Sequence, residues 1–241
     1  MLHRARYLLL QVRNPGDPMR EHEIECFARA LGCEPERIRV FDLISGVPGR
    51  AVIGSADVVL LGGSGDYSVA EGGPWLPAAL EAMRELVEWS KPTFASCWGF
   101  QAMARALGGV VVTDLTRAEL GTHSLRLTAA GLRDPVFGPL GETFDAQMGH
   151  QDIVDELPVG AVLLASSEYV ENQAFCLPDK PIYCTQFHPE LNRTDLLRRV
   201  RAYPRYVEAI AGMTIDDFAA HCRDTPQSEA LLRRFVQRVL E

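Results

Sequence analysis

The stretch Thr93-Phe94-Ala95-Ser96-Cys97-Trp98-Gly99-Phe100-Gln101 decides how the rest of the chain reads. A short apolar run ends in a small residue. A cysteine and a glycine follow, and a helical pattern starts at once. A strand, a sharp turn and a helix give that order when a nucleophile sits on the turn. The turn residue is then held in a strained backbone conformation, and bulky side chains two positions to either side would clash with it. Those two positions are Ala95 and Gly99. A buried structural cysteine at a strand end is the competing reading, since free cysteine is among the most buried residue types.

Outward from this point, Tyr7 to Val12 is almost continuously apolar, the character of a strand buried on both faces. Asn14-Pro15-Gly16-Asp17-Pro18 is a loop; Ile24, Phe27, Ala28 and Leu31 then fall at helical spacing before Gly32. Ile38 to Leu43 and Val58 to Leu61 predict two more strands, the second ending at Gly62-Gly63. Leu76, Ala79, Leu80, Met83 and Val87 put one apolar face on a helix from Trp75 to Ser90. After Cys97, the positions Phe100, Met103, Ala104 and Leu107 predict a helix that stops at Gly108-Gly109. Strands alternating with helices predict an α/β fold with a parallel sheet covered on both faces. Such sheets carry their sites at the carboxyl ends of the strands, where Cys97 and Gly62-Gly63 both lie.

Beyond Gly109 the runs shorten: Val110 to Thr113, Ser124 to Thr128, Thr143 to Met148, Ala161 to Ser166, Gln173 to Cys176 and Ile182 to Phe187. They predict antiparallel strands feeding back onto the sheet, the last one ending at His188-Pro189-Glu190. From Asn192 the pattern is helical. Thr214 to Asp217 has the spacing of a capping box, and Thr225-Pro226 reads as an N-cap before a first-turn proline. Leu231, Leu232, Phe235, Val236, Val239 and Leu240 form an apolar stripe. Its docking choices are its own domain, a second copy of the chain, or a partner; its own domain is the simplest. The expected organisation is a sheet domain over residues 1–191 and a helical extension over 192–241 packed on it.

Composition narrows the function classes. The chain has 241 residues, 47% hydrophobic, enough for one sizeable core. A net charge of −8 with no basic run argues against nucleic acid and against an anionic membrane surface. No apolar run reaches transmembrane length. Met1-Leu2-His3-Arg4 leads straight into the first strand without a cleavable leader pattern, which predicts a cytoplasmic chain. The six cysteines form no C-x-x-C pair, so neither a zinc site nor a dithiol motif is expected.

A helix that begins just after Cys97 favours the thiolate through its N-terminal dipole. A histidine would complete the activation. Among six, His188 is best placed, because it ends a core strand and Glu190 follows across a stiff proline. The bland alternative is a loop histidine in a turn hydrogen bond. Acyl transfer also needs an oxyanion hole; the N–H of Trp98 and a Gly62-Gly63 amide fit that need. The rival for Gly62 to Ser68, a phosphate loop, lacks both the P-loop ending and the dinucleotide spacing. His150-Gln151-Asp152 is a second His/acid pair, read as a loop near the site and short of a third metal ligand. Cys184 reads as core.

Cys97-Trp98-Gly99-Phe100-Gln101 together with Gln186-Phe187-His188-Pro189-Glu190 resembles the class I, triad-type glutamine amidotransferases. The run from Gly149 to Pro158 is similar to the GMP-synthase-like branch of that family. The resemblance covers roughly residues 7 to 191. It implies a flavodoxin-like three-layer α/β sandwich, with a mostly parallel central sheet and antiparallel additions, that cleaves the side-chain amide of glutamine. By position, Cys97 is the nucleophile, His188 the base and acid, and Glu190 the orienting carboxylate. The Gly62-Gly63 turn and Trp98 supply oxyanion donors, and Gln101 lies beside the bound glutamine. No metal or organic cofactor is implied.

Two departures stand out. The glycine turn runs longer than the family's G-G-P-x-S, from Gly62 to Ser68, so which amide donates stays open. Ala95 replaces a common glycine in the elbow. No ATP-pyrophosphatase motif follows, so the chain does not read as a whole GMP synthase. Three functions compete: an amidotransferase subunit that hands ammonia to a synthetase partner, a stand-alone hydrolase of another γ-glutamyl amide or peptide, and a binding module without chemistry. The complete Cys97, His188 and Glu190 set disfavours the third.

Overall fold

Alternation along the first strands sets the layers. In β1 (Tyr7–Gln11) the side chains of Tyr7 and Leu9 enter one apolar cluster, while Leu8 and Leu10 enter a second. β3 (Val58–Leu61) and β4 (Thr93–Ser96) divide likewise: Leu60 and Phe94 join the first cluster, Val59, Leu61 and Ala95 the second. A strand apolar at every position needs cover on both faces. Phe27, Ala28 and Leu31 of α1 (Met19–Leu31) cover one face. The other is covered by α3 (Leu76–Glu88) and α4 (Trp98–Ala106), with α2 (Arg50–Gly54) at its edge. The short α2 has no signature in the sequence, since five residues are too few to show a period.

This computed structural model describes residues 5–204 and 207–241. Met1 to Arg4, His3 among them, and residues 205 and 206 of the helical tail lie outside the described residues. The strands β2 (Ile38–Asp42), β1, β3, β4 and β11 (Ile182–Thr185) form a parallel block in that order. β10 (Ala174–Leu177), β9 (Val162–Ser166), β6 (Glu119–Leu127) and β7 (Thr143–His150) extend it as antiparallel strands. The result is the expected α/β sandwich with antiparallel additions.

One strand departs from expectation. β5 (Val110–Thr113) does not return to the main sheet; it pairs with β8 (Asp152–Glu156) in a separate two-stranded ribbon. Gly108, at φ +93°, and Gly109, whose N–H reaches back to the Ala104 carbonyl at 2.9 Å, turn the chain off α4 away from the sheet. β8 is a strand where His150-Gln151-Asp152 reads locally as a loop. A short α5 (Ala129–Arg133) covers β9, with Thr128 as its N-cap.

The tail is helical where described: α6 (Arg193–Ala202), a π-helical turn (Val207–Ala211), α7 (Ile215–His221), α8 (Pro226–Glu229) and α9 (Leu231–Leu240). The reciprocal capping box stands at Asn192 and Asp195, not at Thr214. Thr214 accepts the Asp217 N–H, but its hydroxyl donates to the Asp217 carboxylate, so only half of that box forms. Pro226 starts α8 as expected, but the Thr225 hydroxyl makes no cap and instead accepts from Gln147 at 3.3 Å. Leu231, Leu232, Phe235 and Val236 are buried in the first cluster, and the Phe235 ring sits 5.3 Å from Phe94. The apolar stripe is therefore buried against side chains of the same chain. Leu196, Leu197 and Val200 of α6 join Leu191, Cys26 and Phe218 in a third cluster beside the carboxyl edge of the parallel block. No helix of the described residues is long and apolar enough to cross a membrane.

Candidate active site

β4 ends at Ser96, and α4 begins at Trp98, so the whole turn is one residue. Cys97 makes it with φ 51° and ψ −105°. That left-handed conformation costs a non-glycine residue about 1–3 kcal/mol and persists only where the surroundings over-determine it. They do: the Cys97 N–H donates to Thr185 O at 2.8 Å, and the Gly99 N–H donates to Gly62 O at 3.1 Å. A Cβ at Gly99 would lie 2.5 Å from the Leu61 Cβ, so only glycine lets α4 start this close to β3. α4 thus begins directly after the Cys97 turn.

His188 follows β11, and its N–H donates to Gln147 O of β7 at 2.9 Å. Its Nδ1 lies 2.7 Å from Glu190 Oε1, and the Cys97 sulfur also acts electrostatically on the imidazole. Both His188 and Glu190 are buried. Burial alone would lower the His188 pKa, but the Glu190 carboxylate and then the Cys97 sulfur outweigh it and push it up to about 9. Burial would raise Glu190; the charge of His188, then Arg199, holds it below the usual carboxylate range instead. The structure thus brings together the three residues that the sequence singled out.

The two glycines of the turn separate. A Cβ on Gly62 would strike the Glu23 carboxylate and Phe27 on α1, away from Cys97, and its carbonyl anchors α4. A Cβ on Gly63 would lie 2.9 Å from His188 Cε1 and 3.7 Å from Cys97 Cβ, so Gly63 is the one against the reacting pair. The extra length to Ser68 is held by Asp152, which accepts from Ser68 Oγ at 2.7 Å and from the Ala70 N–H at 3.1 Å. Asp66 and Glu71 line the same loop's cavity, a poor place for a phosphate. Gln101 donates from Nε2 to Asp152 O at 2.8 Å and Gln186 Oε1 at 3.1 Å, which fixes its amide. Trp98 stacks on Trp75 at 5.6 Å.

Two cavities meet at Cys97. One of about 170 Å³ is polar, lined by Asp66, Ser68, Glu71, Gln101 and Asp152. The other, of about 60 Å³, is mostly apolar and lined by His188, Leu120, Leu191, Leu196, Val200 and Tyr203.

The surroundings of the site hold one residue placed differently from its local reading and others that the chain order does not mark. His150 is not a loop residue: it closes β7, buried, 3.0 Å from Glu119 Oε2 and 3.1 Å from Asp152 O. Gly149 O accepts from the Cys97 thiol at 3.7 Å. Beneath Glu190 lies a buried ion network. Arg13 pairs with Glu23 at 3.1 Å and Asp17 at 3.0 Å; Arg199 lies 3.7 Å from Glu190 Oε1 and 3.9 Å from Glu23 Oε1. An arginine on an amphipathic helix reads as surface, so nothing in the chain order marks Arg199. Cys184 is core, its thiol pushed up by burial. Among the described residues one trio has ligand-type atoms within 4.8 Å of one another, His22, Cys26 and Asp195. Hydrogen bonds account for it: His22 Nε2 meets Asp195 Oδ1 at 3.2 Å and Cys26 Sγ at 3.5 Å, while Arg29 takes the other Asp195 oxygen.

A cysteine on a strand–helix elbow of a mostly parallel sheet, with a buried His–Glu pair behind it, defines an α/β amidohydrolase of the cysteine type. The model of the family described as glutamine amidotransferase class-I matches residues 21–199, and the chain belongs to that family. It is 38% identical over 112 residues to a GMP synthase [glutamine-hydrolyzing] of Caldicellulosiruptor saccharolyticus, covering 46% of this chain and 21% of that protein. The chain thus spans about a fifth of the length of that relative. It is 31% identical over 157 residues to a GMP synthase [glutamine-hydrolyzing] subunit of Sulfurisphaera tokodaii, covering 64% of this chain and 76% of that protein. A solved glutamine amidotransferase of Thermotoga maritima shares the fold with a TM-score of 0.78, 22% identity and 99% coverage of both chains.

Proposed function

We propose that this chain hydrolyses the side-chain amide of glutamine through a γ-glutamyl thioester on Cys97 and releases ammonia for an acceptor. The observation that carries the reading is the alignment of Cys97, on its strained turn, with His188, whose Nδ1 is 2.7 Å from the buried Glu190. The Cys97 sulfur attacks the amide carbon. The oxyanion that forms is met by N–H groups of the Gly63 turn and of Trp98 at the start of α4. His188, charged at neutral pH, gives its proton to the departing nitrogen. Neutral again, it takes a proton from water, whose oxygen attacks the thioester and frees glutamate. Glu190 holds the imidazole in register and stabilises its charge. Gln101 lies beside the bound glutamine in the polar cavity, where acidic side chains suit an α-ammonium group.

The acceptor in this proposal is a separate synthetase protein, as the likeness to a GMP synthase subunit suggests. Residues 1–191 form the amidotransferase domain, and 192–241 are a helical extension packed on it, supported by the burial of α9 in the first cluster. Six unpaired cysteines suit a cytoplasmic setting. The test is to incubate the purified chain with glutamine and measure ammonia and glutamate, with Cys97→Ala as control. Stoichiometric release that vanishes in the variant is expected. Release that persists in Cys97→Ala would overturn the proposal.

A further inference from the structure

The two cavities at Cys97 differ in kind, and the general acid faces only one of them. His188 lines the apolar cavity and not the polar one. A departing nitrogen receives its proton from His188, so whatever it carries leaves toward the apolar side. The walls there are Leu120, Leu191, Leu196, Val200 and the ring of Tyr203. Tyr203 is a fixed wall: its hydroxyl donates to Asp17 Oδ1 at 2.7 Å and accepts from Arg13 Nη1 at 3.2 Å. Ammonia is the size of one water and gains nothing from apolar walls. A cavity of about 60 Å³ holds roughly four to six water-sized groups.

We propose that this cavity is a leaving-group subsite, and that the chain cleaves γ-glutamyl amides whose amine carries a short, uncharged aliphatic substituent of about four carbons. Glutamine is then the smallest member of the substrate class. The two cations at the cavity, Arg13 and Arg199, are already engaged with the buried carboxylates of Asp17, Glu23 and Glu190, so a charged substituent would lose its hydration against the apolar walls without gaining a partner. The inference rests on the thioester chemistry proposed above. The C–N bond breaks as the S–C bond forms, and the nitrogen leaves as a primary amine carrying the His188 proton. Water then gives its proton back to His188 and its oxygen to the thioester carbon, so one amide and one water become glutamate and one alkylammonium ion.

The experiment compares kcat/KM for glutamine, γ-glutamyl isobutylamide and γ-glutamyl 4-aminobutylamide in the intact chain, with Cys97→Ala as control. The isobutylamide is expected to exceed glutamine about tenfold, the worth of roughly two buried methylenes, and the cationic amide to fall below both. A value for the isobutylamide at or below that for glutamine, with glutamine turnover dependent on Cys97, overturns this proposal and leaves the thioester reading standing. No Cys97-dependent release from any of the three overturns both. Two variants sharpen the result. Leu120 is half-buried on the outer wall; Leu120→Phe is expected to lower the isobutylamide-to-glutamine ratio about tenfold. Val200→Ala is expected to shift preference toward the bulkier γ-glutamyl benzylamide. A ratio unmoved in both variants also overturns the assignment.

Discussion

The two walls of the Cys97 cleft are held by different means. One is backbone: the elbow at the end of β4 and the glycine turn at the end of β3, packed so closely that a single Cβ at Gly63 or Gly99 would collide with its neighbours. The other is built of side chains: α6 brings Leu196, Val200 and Arg199 to the cavity, and it is fastened by the buried ions Arg13, Glu23 and Arg199. The contrast shows how the work is divided. The wall that places the reacting atoms tolerates almost no change in shape. The wall that meets the leaving group tolerates changes in size but not in charge.

The comparison breaks most sharply at Glu190. Glu190→Gln keeps the volume but removes the charge that holds His188 protonated, and a loss of about 10³–10⁴-fold in kcat is expected. Steady-state kinetics decide it, and a loss under tenfold would mean that the carboxylate is not the orienting group. On the side-chain wall, Arg13→Met strips the counter-charge from two buried carboxylates, Glu23 and Asp17. Removing one partner of a buried pair costs about 3–5 kcal/mol. Urea unfolding measures it, and a cost below about 1 kcal/mol would show that water already reaches the network.

On the backbone wall, Gly63→Ala pushes a methyl against His188 Cε1, 2.9 Å away. The imidazole must then shift by roughly half an ångström, which is expected to cost about tenfold in kcat/KM with little change in unfolding free energy. A fully active Gly63→Ala would show that the turn yields, and the contrast between the walls would fail. The smallest effect is in pH. His188 must hold its proton to release the amine, so kcat/KM falls as pH rises through about 9. The same shift bears on stability. A pKa raised on folding stabilises fully below the unfolded value of 6.5, and that gain is lost as pH rises through about 9. Arg199→Met removes a positive charge beside Glu190 and His188. The alkaline limb should therefore move up; a limb that stays put or moves down would remove Arg199 from the triad's surroundings.

Much of this is legible in the residues alone. The runs at Tyr7, Val58 and Phe94, apolar at every position, require cover on both faces, and the small residues around Cys97 require a tight turn. His188-Pro189-Glu190 at a strand end reads on its own as either an oriented histidine or a loop histidine, and the resemblance carried by Cys97 to Gln101 and Gln186 to Glu190 together selects the first. Apart from that pairing, these are local signals, set by spacings of two to four residues along the chain.

What stays hidden depends on partners far apart in sequence. The ribbon of β5 with β8, the pairing of His150 with Glu119, the parting of Gly62 toward α1 from Gly63 toward His188, and the approach of Arg199 to Glu190 and Glu23 are all of this kind. So is the apolar cavity, whose walls come from β6, from α6 and from Leu191 beside His188. Periodicity and backbone sterics are written residue by residue, and they suffice to stand a cysteine on an elbow at the edge of a parallel sheet. The side chains that surround that cysteine are another matter. Burial and charge pairing belong to neighbours that the fold, not the chain order, brings together.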